Sequence, residues 1–116
     1  MRIAIIDYGA GNTQSVKYAL KRLGCEGVLT SDKEVISNSD KVIFPGVGQA
    51  SSAMKKLQSE GLDLLIPNLK QPVLGICLGM QLMCNFSEEG NTECLKIFNS
   101  KVKKFDNSLK VPQIGW

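Results

Sequence analysis

The chain contains no histidine. That absence excludes a zinc site built on imidazole and any histidine general base supplied by these residues. Long apolar runs are missing as well. The longest is about four residues, as at residues 3–6, far short of the roughly 20 that a membrane-spanning helix needs. The same short run, closed by Asp7, is too brief for the apolar core of a secretory signal. No two of the four cysteines, Cys25, Cys77, Cys84 and Cys94, stand in a Cys-x2-Cys pair, so neither a zinc ribbon nor a thioredoxin-like site is encoded. The net charge of +3 is too small and too evenly spread to imply nucleic acid or a lipid surface as the main partner. There is no internal repeat, long linker or charge block.

What is present is ordinary for a soluble globular domain. Apolar residues make up 43% and charged residues 22% of 116 positions, a length that suits one domain. The expected location is the cytoplasm, where the cysteines stay free thiols and act mostly as small packing residues.

Strand and helix patterns alternate along the chain. Residues 2–7 are a short β-branched run ending in a carboxylate, which predicts a buried strand. Val16, Ala19, Leu20 and Leu23 then form an apolar stripe at helical spacing, begun by Asn12 or Thr13 as cap and stopped by Gly24. Residues 27–30 are a weak second strand and residues 42–44 a third, ended by Pro45. A helix carrying Ala53, Met54 and Leu57 runs up to Gly61. Leu62, Leu65, Ile66 and Leu69 form another helical face that Pro67 breaks or kinks. Residues 73–76 are a strand and residues 78–86 a helix burying Leu82, Met83 and Phe86. Residues 97–105 read as an extended arm, and residues 111–116 are apolar. The fold class is therefore α/β: an open, mostly parallel sheet with helices on both faces.

Gly75-Ile76-Cys77-Leu78-Gly79 carries most of the chemistry. A Gly-x-nucleophile-x-Gly sequence between a strand and a helix is a nucleophile elbow, here with cysteine. The glycines remove side chains that would collide at a sharp turn. The sulfur then sits at a helix N-terminus, whose unpaired N–H groups and positive dipole end favour a thiolate. The next N–H, on Leu78, points toward a developing oxyanion. Gln81 follows one helical turn after Cys77, placed to hydrogen-bond a polar substrate. In isolation the motif fits a buried structural cysteine equally well. The strand before it, the helix after it and Gln81 favour the functional reading.

Two more glycine turns fall at the same sheet edge, where open α/β folds bind ligands. Pro45-Gly46-Val47-Gly48 lets a backbone approach a ligand, though alone it reads better as a plain turn. Tyr8-Gly9-Ala10-Gly11-Asn12 has Asp32 at a suitable distance but lacks the third glycine of a dinucleotide fingerprint. The lysines at 101, 103, 104 and 110 read as a solvated face.

Together these three turns and the closing Val111-Pro112-Gln113-Ile114-Gly115-Trp116 resemble the class I glutamine amidotransferases, and more narrowly the glutaminase subunits of imidazole glycerol phosphate synthases. The resemblance implies that Cys77 attacks the side-chain amide of glutamine, forms a glutamyl thioester and releases ammonia. It implies an oxyanion hole from the N–H groups of Val47 or Gly48 and of Leu78, and substrate contacts from Gly46, Gly48 and Gln81. It implies no cofactor and no metal. The partner it implies is a (β/α)8-barrel cyclase subunit in a heterodimer, faced by Asn12, Gln113 and Trp116, which uses the ammonia in histidine biosynthesis. The family completes its triad with a histidine and a glutamate from a later part of a longer chain. Residues 1–116 are accordingly expected to be the N-terminal portion of one amidotransferase domain, inactive alone. A non-catalytic module of the same fold, or a glutaminase serving another synthase, are the alternatives.

Overall fold

Four short strands align in parallel in the order β2-β1-β3-β4: β1 (Ile3–Ile6), β2 (Gly27–Thr30), β3 (Lys41–Phe44) and β4 (Val73–Gly75). The structure is a computed structural model, and it describes residues 1–105. Register is set at Ala4 opposite Val28 on one side and Val42 on the other, and at Phe44 opposite Gly75. Side chains alternate across the sheet with the strand period of two. Ala4, Ile6, Val42 and Phe44 face one side and pack on Ala50, Ala53, Met54 and Leu57 of α3 (Ala50–Ser59) and on Leu78 and Leu82 of α5 (Leu78–Leu82). Ile3, Ile5 and Ile43 face the other side and pack on Leu20 and Val16 of α1 (Thr13–Arg22). Helices on both faces explain why β1 and residues 42–44 of β3 are apolar without interruption.

Most of the expected elements are present with nearly the expected bounds. Asn12 caps α1, its side chain accepting from the Ser15 N–H at 3.4 Å, and Gly24 follows the helix at φ +78°. The face expected after Gly61 splits at Pro67 into α4 (Leu62–Leu65) and a 3₁₀ turn (Ile66–Asn68).

Three differences have physical causes. A short α2 (Lys33–Ser37) precedes β3, held by the Asp32 carboxylate, which accepts from the Glu34 N–H at 2.9 Å and the Val35 N–H at 3.4 Å. The helix expected over residues 78–86 stops at Leu82. The Leu82, Met83 and Cys84 carbonyls accept instead from Leu95, Ile97, Phe98 and Lys96, and the Asn85 N–H donates to Ser100. Phe86 leaves the helix, is only half-buried, and joins β5 (Phe86–Ser87) beside β6 (Thr92–Glu93) and β7 (Lys101–Val102). The extended arm at residues 97–105 shortens to β7. The apolar segment at residues 111–116 lies outside the described residues.

Candidate active site

Cys77 sits where β4 turns into α5. The Ile76 N–H still donates to the Phe44 carbonyl at 3.0 Å, as an extension of the sheet. One residue later the backbone reverses: Cys77 has φ 54° and ψ −121°, and α5 begins at Leu78. Only three non-glycine residues among those described have positive φ, and Cys77 is the one at the sheet edge. Such a conformation costs about 1–3 kcal/mol and persists only where its surroundings fix it.

The flanking glycines supply that fixation. A Cβ on Gly79 would overlap the Phe44 carbonyl oxygen, and one on Gly75 would come within 2.6 Å of Met83 Sδ and 2.8 Å of Met80 Cα. Helix α5 therefore lies directly on the end of β3, with Leu78 and Gly79 buried and Cys77 exposed. The Gln81 N–H donates to the Cys77 carbonyl at 3.1 Å, so Gln81 stands one turn above the thiol, half-buried.

The other two glycine turns meet this one. Pro45 and Gly46 are buried, while Val47 and Gly48 are exposed, Gly48 at φ +107°. The buried Tyr8 hydroxyl donates to the Pro45 carbonyl at 2.8 Å, and its ring packs on Phe44 at 5.6 Å between centroids. Burial pushes the Tyr8 hydroxyl up to about 12, which keeps it a neutral donor. A side chain at Gly11 would meet the Gly46 Cα at 3.2 Å, and Lys56 Nζ donates to the Gly9 carbonyl at 2.9 Å.

An exposed thiol on a reversed strand-to-helix turn, edged by two glycine turns, is an arrangement for attack on a small electrophile. A family model for class-I glutamine amidotransferases matches residues 4–113. The chain belongs to this family. It is 60% identical to an imidazole glycerol phosphate synthase subunit HisH of Bacteroides fragilis strain YCH46, over 100% of this chain and 61% of that one. A HisH of Haemophilus influenzae strain Rd is 50% identical, over 100% of this chain and 59% of its own length. The chain thus spans about three fifths of the length of the curated relatives it matches. A solved glutamine amidotransferase crystal structure shares the fold with a TM-score of 0.72 at 20% identity, over 85% of this chain and 54% of the other.

Within this amidotransferase frame, the structure brings Cys77, Gln81 and residues 46–48 to one edge of the sheet. Asn12 lies beside them, next to the Gly11–Gly46 contact. The Leu78 N–H differs from expectation. It donates to the Gly46 carbonyl at 3.1 Å, so in this arrangement it is already occupied. The Gly46 carbonyl oxygen thus fills the position in which an oxyanion bound to this N–H would lie. Gln113 and Trp116 lie outside the described residues.

One residue escaped the sequence reading. Glu89, in the connection between β5 and β6, accepts from the Ala50 N–H at 2.8 Å at the start of α3. It brings a carboxylate to the turn that ends in Gly48. No local signal marks it, because its partner is 39 positions away.

Proposed function

We propose that this chain is the glutaminase portion of an imidazole glycerol phosphate synthase, with Cys77 as nucleophile. The observation that carries this reading is the exposed cysteine at φ 54° between β4 and α5. A non-catalytic module would have no use for a strained, solvent-facing thiol, so the geometry favours chemistry.

In this mechanism the Cys77 sulfur attacks the side-chain carbonyl carbon of glutamine. The carbonyl oxygen takes the negative charge, and collapse of the adduct breaks the C–N bond. The nitrogen gains a proton and leaves as ammonia. The resulting thioester is hydrolysed to glutamate, which frees the thiol. Gly46, Gly48 and Gln81 hold the substrate, and the Glu89 carboxylate suits its α-ammonium group. The oxyanion needs donors, and the Gly46 carbonyl occupies one of them. Rotating the Gly46–Val47 peptide withdraws that acceptor from Leu78 and turns the Val47 N–H inward. Gly46 carries no side chain to oppose the change in its ψ that this rotation requires.

The names of the relatives support a synthase that makes imidazole glycerol phosphate. On this reading residues 1–116 are the N-terminal portion of one amidotransferase domain in the cytoplasm. The ammonia passes to a (β/α)8-barrel cyclase subunit of a heterodimer, faced by Asn12, Gln113 and Trp116. The cyclase uses it to form imidazole glycerol phosphate and an aminoimidazole carboxamide ribotide. Because these residues include no histidine, a polypeptide of residues 1–116 should release glutamate more slowly than an intact amidotransferase by about the 10²–10⁴-fold that acid–base help supplies.

Limiting iodoacetamide followed by mass spectrometry tests the central claim. Cys77 is exposed, Cys25 and Cys84 are partly covered, and Cys94 is buried with its thiol pushed up by burial and by Cys84. Labelling should run in that order. Faster labelling of Cys25, Cys84 or Cys94 would remove Cys77 from its role.

A further inference from the structure

Away from the Cys77 turn, α1 and β2 enclose a cavity of about 460 Å³, with Lys17, Tyr18 and Lys21 on its helical wall and Gly27 and Val28 on its strand wall. Three features of this groove point to an occupant, and none depends on the glutaminase reading.

The first is an open strand edge. Among the described residues β2 ends the sheet. The Asp7 N–H donates to the Thr30 carbonyl at 3.0 Å. In a parallel ladder a residue directs both backbone groups to one side, and successive residues alternate. Val28 and Thr30 therefore face β1, while Gly27 and Leu29 direct their N–H and carbonyl groups outward.

The second is charge. Lys17 and Lys21 are exposed, and the one ion pair among the described residues joins Lys96 to Glu93. Both ammonium groups thus stand without a carboxylate partner there.

The third is spacing. Lys17 and Lys21 are four residues apart on α1, a rise of about 6 Å. Alternate residues of a strand, which share one face, are about 6.7 Å apart. Helix α1 connects two parallel neighbours, so it runs back alongside them and the two repeats lie side by side. Tyr18, 60% exposed, adds apolar surface beside the lysines, and Val28, 45% exposed and paired with Ala4, adds it on the other face of the sheet for the remaining side chains.

We propose that this groove docks an extended acidic segment of a partner protein, which pairs with the outer edge of β2 and sets two carboxylates, two residues apart, against Lys17 and Lys21. Recognition of this kind takes affinity from main-chain hydrogen bonds and specificity from alternate side chains. A second copy of this chain suits the groove poorly, because pairing β2 with β2 brings two more lysines to the same place. Glu26 lines the same groove, one residue before β2, and repels a third carboxylate at that end.

The test is fluorescence anisotropy with a labelled, end-capped peptide of about eight residues alternating glutamate and valine, titrated with the full chain. Saturable binding is expected, weakened at least about tenfold by the double substitution Lys17→Glu and Lys21→Glu, and by replacing the peptide glutamates with lysine. Leu29→Pro should weaken it as well, because it deletes an outward N–H without touching the bonds to β1. Leu29 also packs beneath α1, so the surface lysine pair, with circular dichroism matching the parent, decides the matter. Absence of saturable binding up to about 1 mM chain, or equal binding by the charge-reversed variant, overturns the proposal. So does a sedimenting dimer that the lysine reversal leaves intact and the peptide does not dissociate.

Discussion

The two flanks of the central sheet are built to different tolerances. On the flank of α3 and α5, backbone meets backbone. Gly79 of α5 lies against the Phe44 carbonyl at the end of β3, and the Leu78 N–H reaches the Gly46 carbonyl. On the flank of α1, contact is made by side-chain ends such as Leu20 against Ile5. Tyr18 and Leu23 are left 60% and 78% exposed, and the large cavity opens there. Side-chain ends move by changing rotamer, whereas the Phe44 carbonyl, paired within the sheet, moves only with its strand. A reacting group must be held to within about half an ångström. The rigid flank is the one that carries the thiol.

The comparison breaks most easily at its glycines. Gly79→Ala places a Cβ on the Phe44 carbonyl oxygen, and neither the strand end nor α5 has room to yield. The expected loss is more than about 4 kcal/mol, visible as a chain that fails to fold or melts far below the parent. Gly24→Ala is the counterpart on the other flank. Its φ of +78° strains any side chain, but nothing lies within 4 Å of the added carbon. It should cost only about 1 kcal/mol. Equal effects in urea unfolding would mean that the flanks do not differ.

A second pair of variants separates strain from chemistry at position 77. Cys77→Gly relieves the positive φ and should stabilise the chain by about 1–2 kcal/mol, while Cys77→Ala keeps the strain and stays near the parent. Both lose the thiol. Thermal midpoints measured side by side give the cost of holding a cysteine there. A glycine variant no more stable than the alanine variant would show that the turn is relaxed.

What was legible in the sequence was what local sterics decide. Residues 27–30, bounded by glycine and polar residues, match β2, and Pro67 divides a helical face where its missing N–H requires. The strand, glycine, cysteine, glycine and helix around residue 77 could be read together because each demand is met within a few positions. What stayed illegible depends on distant partners. The end of α5 is set by N–H groups of residues 95–98, and the acceptor of the Leu78 N–H lies on another strand's turn. Glu89 reaches Ala50 across 39 positions, and Tyr8 reaches Pro45 across 37. Helix α2 is too short for a periodic stripe, and only the Asp32 cap could have marked it.

Tyr8 gives the finest probe of the rigid flank, because it ties the β1 turn to the Pro45 turn. Removing its hydroxyl in Tyr8→Phe leaves the Pro45 carbonyl without this donor and should cost about 1 kcal/mol near neutral pH. The pH dependence makes the assignment specific. Burial raises the folded hydroxyl from its ordinary 10.0 to about 12. Below pH 10 both folded and unfolded chains keep the proton, and the full contribution is present. As pH climbs from 10 to 12 the unfolded chain loses the proton while the folded chain retains it, so stability falls. Phenylalanine cannot ionise and lacks this slope. Urea unfolding of parent and variant between about pH 8 and 11.5 should therefore show the parent's advantage shrinking above about pH 10. A gap that stays constant over that range would mean that Tyr8 ionises as readily folded as unfolded, and that the two turns are not held together by a buried hydroxyl.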